Sequence, residues 1–371
     1  TANMRLASIF SQLQTPAPRL VAIGLGSITG KMFSSMSNTV THSLVLSDLH
    51  FGDARCSLHA MKAAQELTRR LRDFLPLHQI ILLGDILDLQ LANWAQAVEG
   101  MILQGGKRTV GFRYFLNFLI AETNARSIIY VPGNHDYRIF DFHSIEKSVI
   151  NTLRNGRKLS GRVAFFRTFN DSFLRGLVPN ADLEFKIVYP HYILKWNSQR
   201  IVLTHGHFFD PTQAFNHEVG KIFSGAGALS RKQIARIRQN YFRRASLYQN
   251  LVSGFSIKKE MREWFCSLYH PFTALKARMT HRKRKTFLTA AMRRSIEHYI
   301  TFCCRPGKVA GVIFGHTHRP GKAAITGGPV RYVWNSGTFL KESKSSATGS
   351  FITIRHDKKC TIEEAVRVHI L

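Results

Sequence analysis

The chain has 371 residues, of which 44% are hydrophobic and 27 are phenylalanine. This apolar and aromatic content excludes an intrinsically disordered protein and suffices for a sizeable folded core. The 52 Lys and Arg residues outnumber 23 acidic residues and give a formal net charge of +29. We therefore expect a polyanionic partner, such as nucleic acid, anionic lipid or a phosphorylated substrate.

Residues 1–42 form the first predicted region, an N-terminal arm or first strand. The apolar stretch 20–26 within it is shorter than the roughly 20 apolar residues that span a bilayer. Pro16 and Pro18 just before this stretch make it a poor signal-peptide core. The chain has 5 cysteines and no Cys-x-x-Cys motif, which favours a reducing compartment. The sequence therefore predicts a cytoplasmic protein.

Residues 43–210 are predicted to form the first part of an α/β core. Short runs rich in Ile, Val and Leu end in polar residues, a pattern typical of fully buried strands. These runs start at Ser43, Gln79, Ser127 and Arg200, and a fifth starts at Val309. Apolar residues at helical spacing predict helices over 57–75, capped by Ser57, and over 112–122. Alternating strands and helices predict an α/β sheet with right-handed crossovers.

Residues 211–308 are predicted to form a basic helical insert or cap. From 211 to 310 the sequence has 20 Lys and Arg residues and only four acidic residues. Basic residues next to apolar and aromatic ones suit a helix lying on anionic lipid. An apolar stripe packed on the core, with a basic solvated face, explains the same pattern. A third reading is that the basic residues follow the phosphate backbone of a nucleic acid.

Residues 309–371 are predicted to complete the core. Beyond the fifth apolar run, the segments VRYVWNSG, SFITIRH and TIEEAVRVHIL each have the pattern of a strand. These strands either extend the predicted sheet or form a second layer packed against it.

Side chains that can bind metals follow all five apolar runs. In α/β sheets the ligand crevice lies at the carboxyl ends of the strands, so residues distant in sequence can meet there. Carboxylate, imidazole and amide groups together suit Mn²⁺, Zn²⁺ or Fe better than Ca²⁺. The set exceeds the needs of one cation but fits two cations about 3.5–4 Å apart, which can clamp a phosphoryl group and activate water. The candidates are Asp48, His50, Asp85, Asn134, His205, His316 and His318.

The segments DLH, GDILD, GNHD, HGH and GHTH, in this order, resemble the motif set of the calcineurin-like metallophosphoesterases. The resemblance covers about residues 43–337 and implies a β-sandwich flanked by helices (αββα), with the insert as a cap. It implies two divalent cations, with manganese as the first choice and iron or zinc as alternatives. One would bind Asp48, His50, Asp85 and His318, and the other Asp85, Asn134, His205 and His316, so that Asp85 bridges them.

The same resemblance implies roles for residues around the two cations. His135 would contact the scissile phosphate and protonate the leaving oxygen, and Asp136 would hold the His135 imidazole. Asp88 and His207 would orient the ligands without binding the cations themselves.

The insert, GHTHRP and VWNSGT together are similar to the UDP-2,3-diacylglucosamine pyrophosphohydrolases of lipid A biosynthesis. This similarity implies a nucleotide-linked lipid as substrate and a peripheral position at the inner membrane face, reached through residues 211–308. His135 stands where the better-known branch of those enzymes has Arg. A His at this position is more like other branches, including generic phosphoesterases. The alternatives are a nuclease or soluble nucleotide phosphodiesterase and, from another class, a non-catalytic scaffold with the same fold.

Overall fold

The computed structural model describes residues 40–89, 99–101, 109–136, 139, 167–170, 172–178, 182–209, 287–304, 309–341, 349–357 and 359–371. The predicted N-terminal arm, up to residue 39, lies outside the described residues. Residues 211–286 of the basic insert also lie outside the described residues, and the three interpretations of that insert stay predictions.

The described strands belong to two sheets. In chain order they are β1 (Thr41–Leu46), β2 (Leu77–Leu83), β3 (Ser127–Val131), β4 (Arg167–Asn170), β5 (Glu184–Tyr189), β6 (Tyr192–Trp196), β7 (Gln199–Leu203), β8 (Val309–Phe314), β9 (Gly321–Ala324), β10 (Tyr332–Asn335), β11 (Ser350–His356) and β12 (Val366–Ile370). The first sheet has the order β12-β11-β1-β2-β3-β5-β4, and the second has the order β6-β7-β8-β10-β9.

The apolar runs predicted to be buried strands are β1, β2, β3, β7 and β8. The first three are parallel neighbours in the first sheet, and β7 and β8 are parallel neighbours in the second. The alternation of strands and helices in the sequence predicts a single sheet for these five runs. That prediction is wrong, because β6 and β7 form a hairpin that starts a separate sheet. The two-sheet fold that the family resemblance implied is confirmed.

The two sheets are packed face to face through apolar side chains. Alternate residues of a strand point to opposite faces, so Val45 points into the space between the sheets while Leu44 and Leu46 point away from it. Ile81, Ile313 and the fully buried Trp334 belong to the same inner core as Val45. This packing holds the carboxyl ends of β1, β2 and β3 near those of β7 and β8.

Most of the described α-helices cover the outer faces of the sheets, whereas the short segment Ile362–Ala365 packs into the inner core. The described helices are α1 (Met61–Leu71), α2 (Phe112–Thr123), α3 (Ser172–Leu177), α4 (Ala290–Cys303) and α5 (Ile362–Ala365). The buried faces of α1 and α2 pack with Leu44, Leu46 and Ile80 in the outer core. Tyr299 of α4 contacts Phe209, which in turn contacts Phe314 of β8.

Two predicted elements need correction. The helix predicted from Ser57 begins instead at Met61, because Ala60 is extended and forms a β-bridge with Thr109. The segment predicted as one strand from Thr361 begins as α5, where Thr361 and Glu364 form a capping box, and only β12 is extended. Among the described residues, no helix is long and apolar enough to cross a bilayer.

Candidate metal centre

The seven predicted ligands come together where strands of the two sheets end. Asp48, Asp85 and Asn134 follow β1, β2 and β3, and His205 and His316 follow β7 and β8. Backbone hydrogen bonds connect the turns directly. The Asp48 amide donates to the Gly84 carbonyl at 3.0 Å, and the Gly315 amide donates to the His205 carbonyl at 2.9 Å.

Five of these residues have a left-handed backbone. The φ angles are 52° at Asp48, 52° at His50, 51° at Asp85, 65° at His316 and 59° at His318. This region disfavours residues other than glycine, although Asp and His tolerate it better than most. Such backbone strain concentrates at functional sites, where the surrounding structure holds it in place.

Asp48, His50 and His318 form the first ligand group. Their candidate ligand atoms all lie within 4.8 Å of one another. Oδ1 of Asp48 is 3.3 Å from Nε2 of His318 and 4.0 Å from Nε2 of His50. Burial would raise the pKa of Asp48, but the imidazoles of His205 and His318 hold it below its usual value.

Asp85, His205 and His316 form the second group, again with ligand atoms within 4.8 Å of one another. Nε2 of His205 is 3.1 Å from Oδ2 of Asp85 and 3.1 Å from Oδ1 of Asn134. The same Asp85 oxygen is 3.8 Å from Nε2 of His50, in the first group. Asp85 therefore lies between the two groups, in the position that a shared ligand requires.

The protonation states of the second group are strongly perturbed. Burial would raise the pKa of Asp85, but His205, His135 and His50 hold it well below its usual range. Burial would lower the pKa of His205, but Asp85 and Asp48 raise it to about 9. An ionised carboxylate and a buried imidazole are both groups that a cation can bind once the imidazole loses its proton.

The chemistry of the centre fits divalent cations. Among the described residues, neither ring nitrogen of His50 has a hydrogen-bond partner, although the residue is only 2% exposed. Buried polar atoms without partners are costly, so such an imidazole is explained if it binds a cation. Carboxylates and imidazoles also form a donor set typical of Mn²⁺, Fe and Zn²⁺ sites.

Two glycines leave room for the ligand side chains. A Cβ at Gly133 would lie 2.2 Å from Oδ1 of Asp85, and one at Gly315 would lie 2.2 Å from Oδ2 of Asp48. Neither distance is possible for real atoms. The glycines of GNHD and GHTH therefore allow the backbone to approach the carboxylates closely.

His135 lies beside the first group and is held by Asp88. Its Nδ1 is 3.2 Å from Oδ1 of Asp88, and its Nε2 is 3.9 Å from Oδ2 of Asp85. The other Asp88 oxygen is 3.7 Å from Nδ1 of His50. Burial would lower the pKa of His135, but the carboxylates of Asp85 and Asp88 raise it above its usual value.

Asp136 does not hold the His135 imidazole, and that prediction needs correction. One Asp136 oxygen accepts a hydrogen bond from the Gly133 amide at 2.6 Å. The other accepts from the Ile86 amide at 2.8 Å and from the hydroxyl of Tyr130. Asp136 thus joins the turns after β2 and β3. Burial and Asp85 raise its pKa above the ordinary value.

His207 lies close to the second group. Its ring centroid is 5.5 Å from that of His205 and 6.4 Å from that of His316. Burial and these two imidazoles hold the pKa of His207 well below its usual value. A neutral ring at this position is compatible with the predicted role of supporting the ligands.

Sequence reasoning missed a hydroxyl network behind Asp48. The Ser47 hydroxyl donates to Oδ2 of Asp48 at 2.6 Å, and its oxygen is 2.5 Å from the hydroxyl oxygen of Ser336. Ser336 belongs to the segment NSGT, which begins at the last residue of β10. The sequence feature that could have identified this network is a cluster of small polar residues after a buried strand. Polar residues after buried strands also identified the ligands.

Comparison with known proteins agrees with this geometry. The family model described as calcineurin-like phosphoesterase matches residues 41–320, three quarters of the chain. The chain belongs to this family. It is a metal-dependent phosphoesterase, and its substrate is a phosphorylated molecule. No curated protein matches its sequence.

Solved structures similar to this phosphoesterase are distant in sequence. A single mutant of Vps29 from Entamoeba histolytica is 12% identical, covering 89% of this chain and 98% of that chain with a TM-score of 0.30. A predicted phosphoesterase from Streptococcus pneumoniae is 12% identical, covering 91% and 100% with a TM-score of 0.28. A metallophosphoesterase from Sphaerobacter thermophilus is 14% identical, covering 90% and 88% with a TM-score of 0.29.

Proposed function

We propose that the centre binds two divalent cations and hydrolyses a phosphodiester or pyrophosphate bond. Asp48, His50 and His318 are assigned to one cation, and Asn134, His205 and His316 to the other. Asp85 is shared. The position of the Asp85 carboxylate, 3.1 Å from His205 and 3.8 Å from His50, carries this assignment.

Bound divalent cations would offset negative charge on the phosphoryl oxygens and lower the pKa of a water molecule that attacks phosphorus. The residues of the chain supply the other parts of the reaction. His135, at the edge of the centre, donates a proton to the leaving oxygen. Asp88 fixes the tautomer of the ring by accepting a hydrogen bond from Nδ1, which leaves Nε2 toward the substrate.

A nucleotide-linked lipid such as UDP-2,3-diacylglucosamine is the first substrate that we propose. Its support is the sequence similarity of the GHTHRP and VWNSGT segments and the basic residues of 211–308. With this substrate, manganese is the proposed metal and the inner membrane face the proposed location. The leaving group would then be a phosphate, which needs little help from an acid.

The contact between His135 and Asp88 favours a second candidate, a phosphodiester with an alkoxide leaving group. An alkoxide is a strong base, so its departure depends on a proton donor. A nuclease or a soluble nucleotide phosphodiesterase acts on such bonds.

A product assay with UDP-2,3-diacylglucosamine, single-stranded DNA, cyclic nucleotides and bis-p-nitrophenyl phosphate, each with Mn²⁺, separates these substrates. We expect Asp85→Ala and His316→Ala to lose about 10³-fold or more of turnover, because each removes a ligand. Glu66→Gln, on the exposed face of α1, is the control and should keep full turnover. Full turnover in both ligand variants would contradict the assignment.

A further inference from the structure

The two oxygens of the Asp48 carboxylate have different surroundings. Oδ1 faces the imidazole of His318 at 3.3 Å. Oδ2 accepts a hydrogen bond from the Ser47 hydroxyl at 2.6 Å, and the His316 amide is shared by both oxygens, at 3.1 Å from Oδ1 and 3.0 Å from Oδ2. Asp48 and Ser47 are both completely buried, so water does not replace these contacts. Only Oδ2 therefore accepts the serine hydroxyl, and Oδ1 is the oxygen that faces His318 of the first ligand group.

The proton of Ser47 has a defined direction. Its hydroxyl oxygen lies 2.6 Å from Oδ2 of Asp48 and 2.5 Å from the hydroxyl oxygen of Ser336. A serine has one proton to donate, and an ionised carboxylate is a stronger acceptor than a hydroxyl. Ser47 therefore donates to Asp48. The Ser336 hydroxyl has two acceptors within reach, the Ser47 oxygen at 2.5 Å and the Phe314 carbonyl at 3.2 Å, and the shorter contact favours donation to Ser47.

The segment that carries Ser336 is fixed to the turn before His316. The Ser336 amide donates to the Phe314 carbonyl at 2.9 Å. The Asn335 side-chain amide donates to the Gly315 carbonyl at 2.7 Å. Thr338 completes the connection, because its hydroxyl donates to the Asp48 carbonyl at 3.0 Å. The NSGT segment thus holds the turn of Asp48 and the turn of His316 in one position relative to each other.

We propose that Ser47 and Ser336 are positioning residues that set the affinity of the Asp48 side of the centre for its cation. Their two hydroxyls form a relay, from Ser336 to Ser47 to Asp48, which fixes the orientation of the carboxylate. Partners of this kind behind a ligating carboxylate are worth about 10–100-fold in metal affinity. The proposal rests on the proposed function, in which Asp48 binds a cation.

Calorimetric titration of the metal-free protein with Mn²⁺ tests the relay without measuring turnover. Ser47→Ala should weaken one of two binding events about tenfold or more and leave the other unchanged. Ser336→Ala should weaken the same event by less, because Ser47 keeps its bond to Asp48. Ser350→Ala is the matched control: Ser350 is 2% exposed and donates to the Ser336 carbonyl at 2.6 Å but does not contact the carboxylate.

The outcomes distinguish the relay from a general structural role. Wild-type affinity in Ser47→Ala, or an equal loss in Ser350→Ala, would overturn the proposal. If Ser47→Ala does not fold, as judged by thermal unfolding in EDTA, the test relies on Ser336→Ala. Unchanged Mn²⁺ affinity in Ser336→Ala overturns the relay, and weaker binding of one of the two cations supports it.

Asp48→Ala separates this proposal from the one on which it rests. If Asp48→Ala binds two cations with wild-type affinity, the proposed ligand assignment is wrong. If Asp48→Ala loses one cation while Ser47→Ala binds normally, the ligand assignment stands and only the relay is wrong.

Discussion

The Asp88 carboxylate contacts two imidazoles at once, with Oδ1 3.2 Å from Nδ1 of His135 and Oδ2 3.7 Å from Nδ1 of His50. If His135 is the proton donor, Asp88→Asn should slow alkyl phosphodiesters about 10²-fold and p-nitrophenyl diesters much less. The reason is that p-nitrophenolate leaves without a proton. Steady-state kinetics on both substrates gives the comparison.

Asp73→Asn is the matched control for Asp88→Asn, because Asp73 is an exposed aspartate in the turn just after α1. It should leave both rates unchanged. An equal loss on both substrates in Asp88→Asn would mean that Asp88 acts only through His50 and the cation.

Gly315→Ala should abolish metal binding to the first group. The added Cβ would lie 2.2 Å from Oδ2 of Asp48 and 2.5 Å from the hydroxyl oxygen of Ser47, so the carboxylate has to move. We expect a loss of one bound cation per chain by metal analysis. Gly176→Ala, which meets nothing within 4 Å, is the control and should bind normally. Normal metal content in Gly315→Ala would show that the centre tolerates the displacement.

His50→Asn should have little effect on the metal-free protein but a large effect on the metal-bound one. Asn tolerates the left-handed backbone, and among the described residues the lost ring made no hydrogen bond. We expect a change in unfolding free energy of no more than about 1 kcal/mol in EDTA. Calorimetric melting should show that Mn²⁺ raises the Tm of the variant much less than that of the wild type.

Asn197→Ala provides the opposite pattern as a control. Asn197 also has a left-handed backbone, with φ 52°, but lies in the turn between β6 and β7. The alanine should destabilise the protein by about 1–2 kcal/mol with or without metal. A large loss of metal-free stability in His50→Asn would mean that the imidazole has a structural role.

Metal binding at pH 7 should release a proton from His205. The pKa of His205 is raised to about 9, so the metal-free residue is charged at pH 7, whereas a ligating imidazole is neutral. Affinity should therefore increase with pH up to about 9. Calorimetry in two buffers of different ionisation enthalpy measures the protons released. His42→Gln is the control, because His42 is remote from the centre, and it should release the same number of protons as the wild type. Equal binding heats in the two buffers for the wild type would refute proton release.

His356 should destabilise the fold in acid. Burial and the nearby His78 and His42 lower its pKa from an ordinary value of about 6.5 to about 4. Between these values the unfolded chain binds more protons than the folded one, so stability should fall as pH falls from about 6.5 to about 4. In EDTA, His356→Gln should lose less Tm over this range than the wild type. An equal decrease in Tm in the variant and the wild type would contradict this role of His356.

The convergence of the ligands was predictable because parallel strands end at the same edge of a sheet. Asp48, Asp85 and Asn134 follow neighbouring strands, and this placement needed only the apolar pattern. His205 and His316 were harder, since they come from a second sheet. No local signal shows where a sheet ends and another begins, and only the family resemblance implied two.

The partner of His135 was not predictable from spacing. Asp136 is adjacent in sequence, but its side chain points back to the amides of Gly133 and Ile86. Asp88 is distant in sequence and reaches the ring because the turn after β2 lies beside the turn after β3. Ser47 was missed for the same reason, since its contact with Ser336 joins residues 289 positions apart.

Because the centre is divided between two sheets, it forms only when both sheets have folded and packed together. Neither sheet alone holds both partners of the shared carboxylate, and the last predicted ligand, His318, follows β8 near the end of the core. A ribosome-bound chain ending before residue 318 therefore lacks part of the ligand set and should not retain a cation pair. The activity should appear only once the sandwich closes, so that incompletely synthesised chains do not cleave cellular phosphoesters.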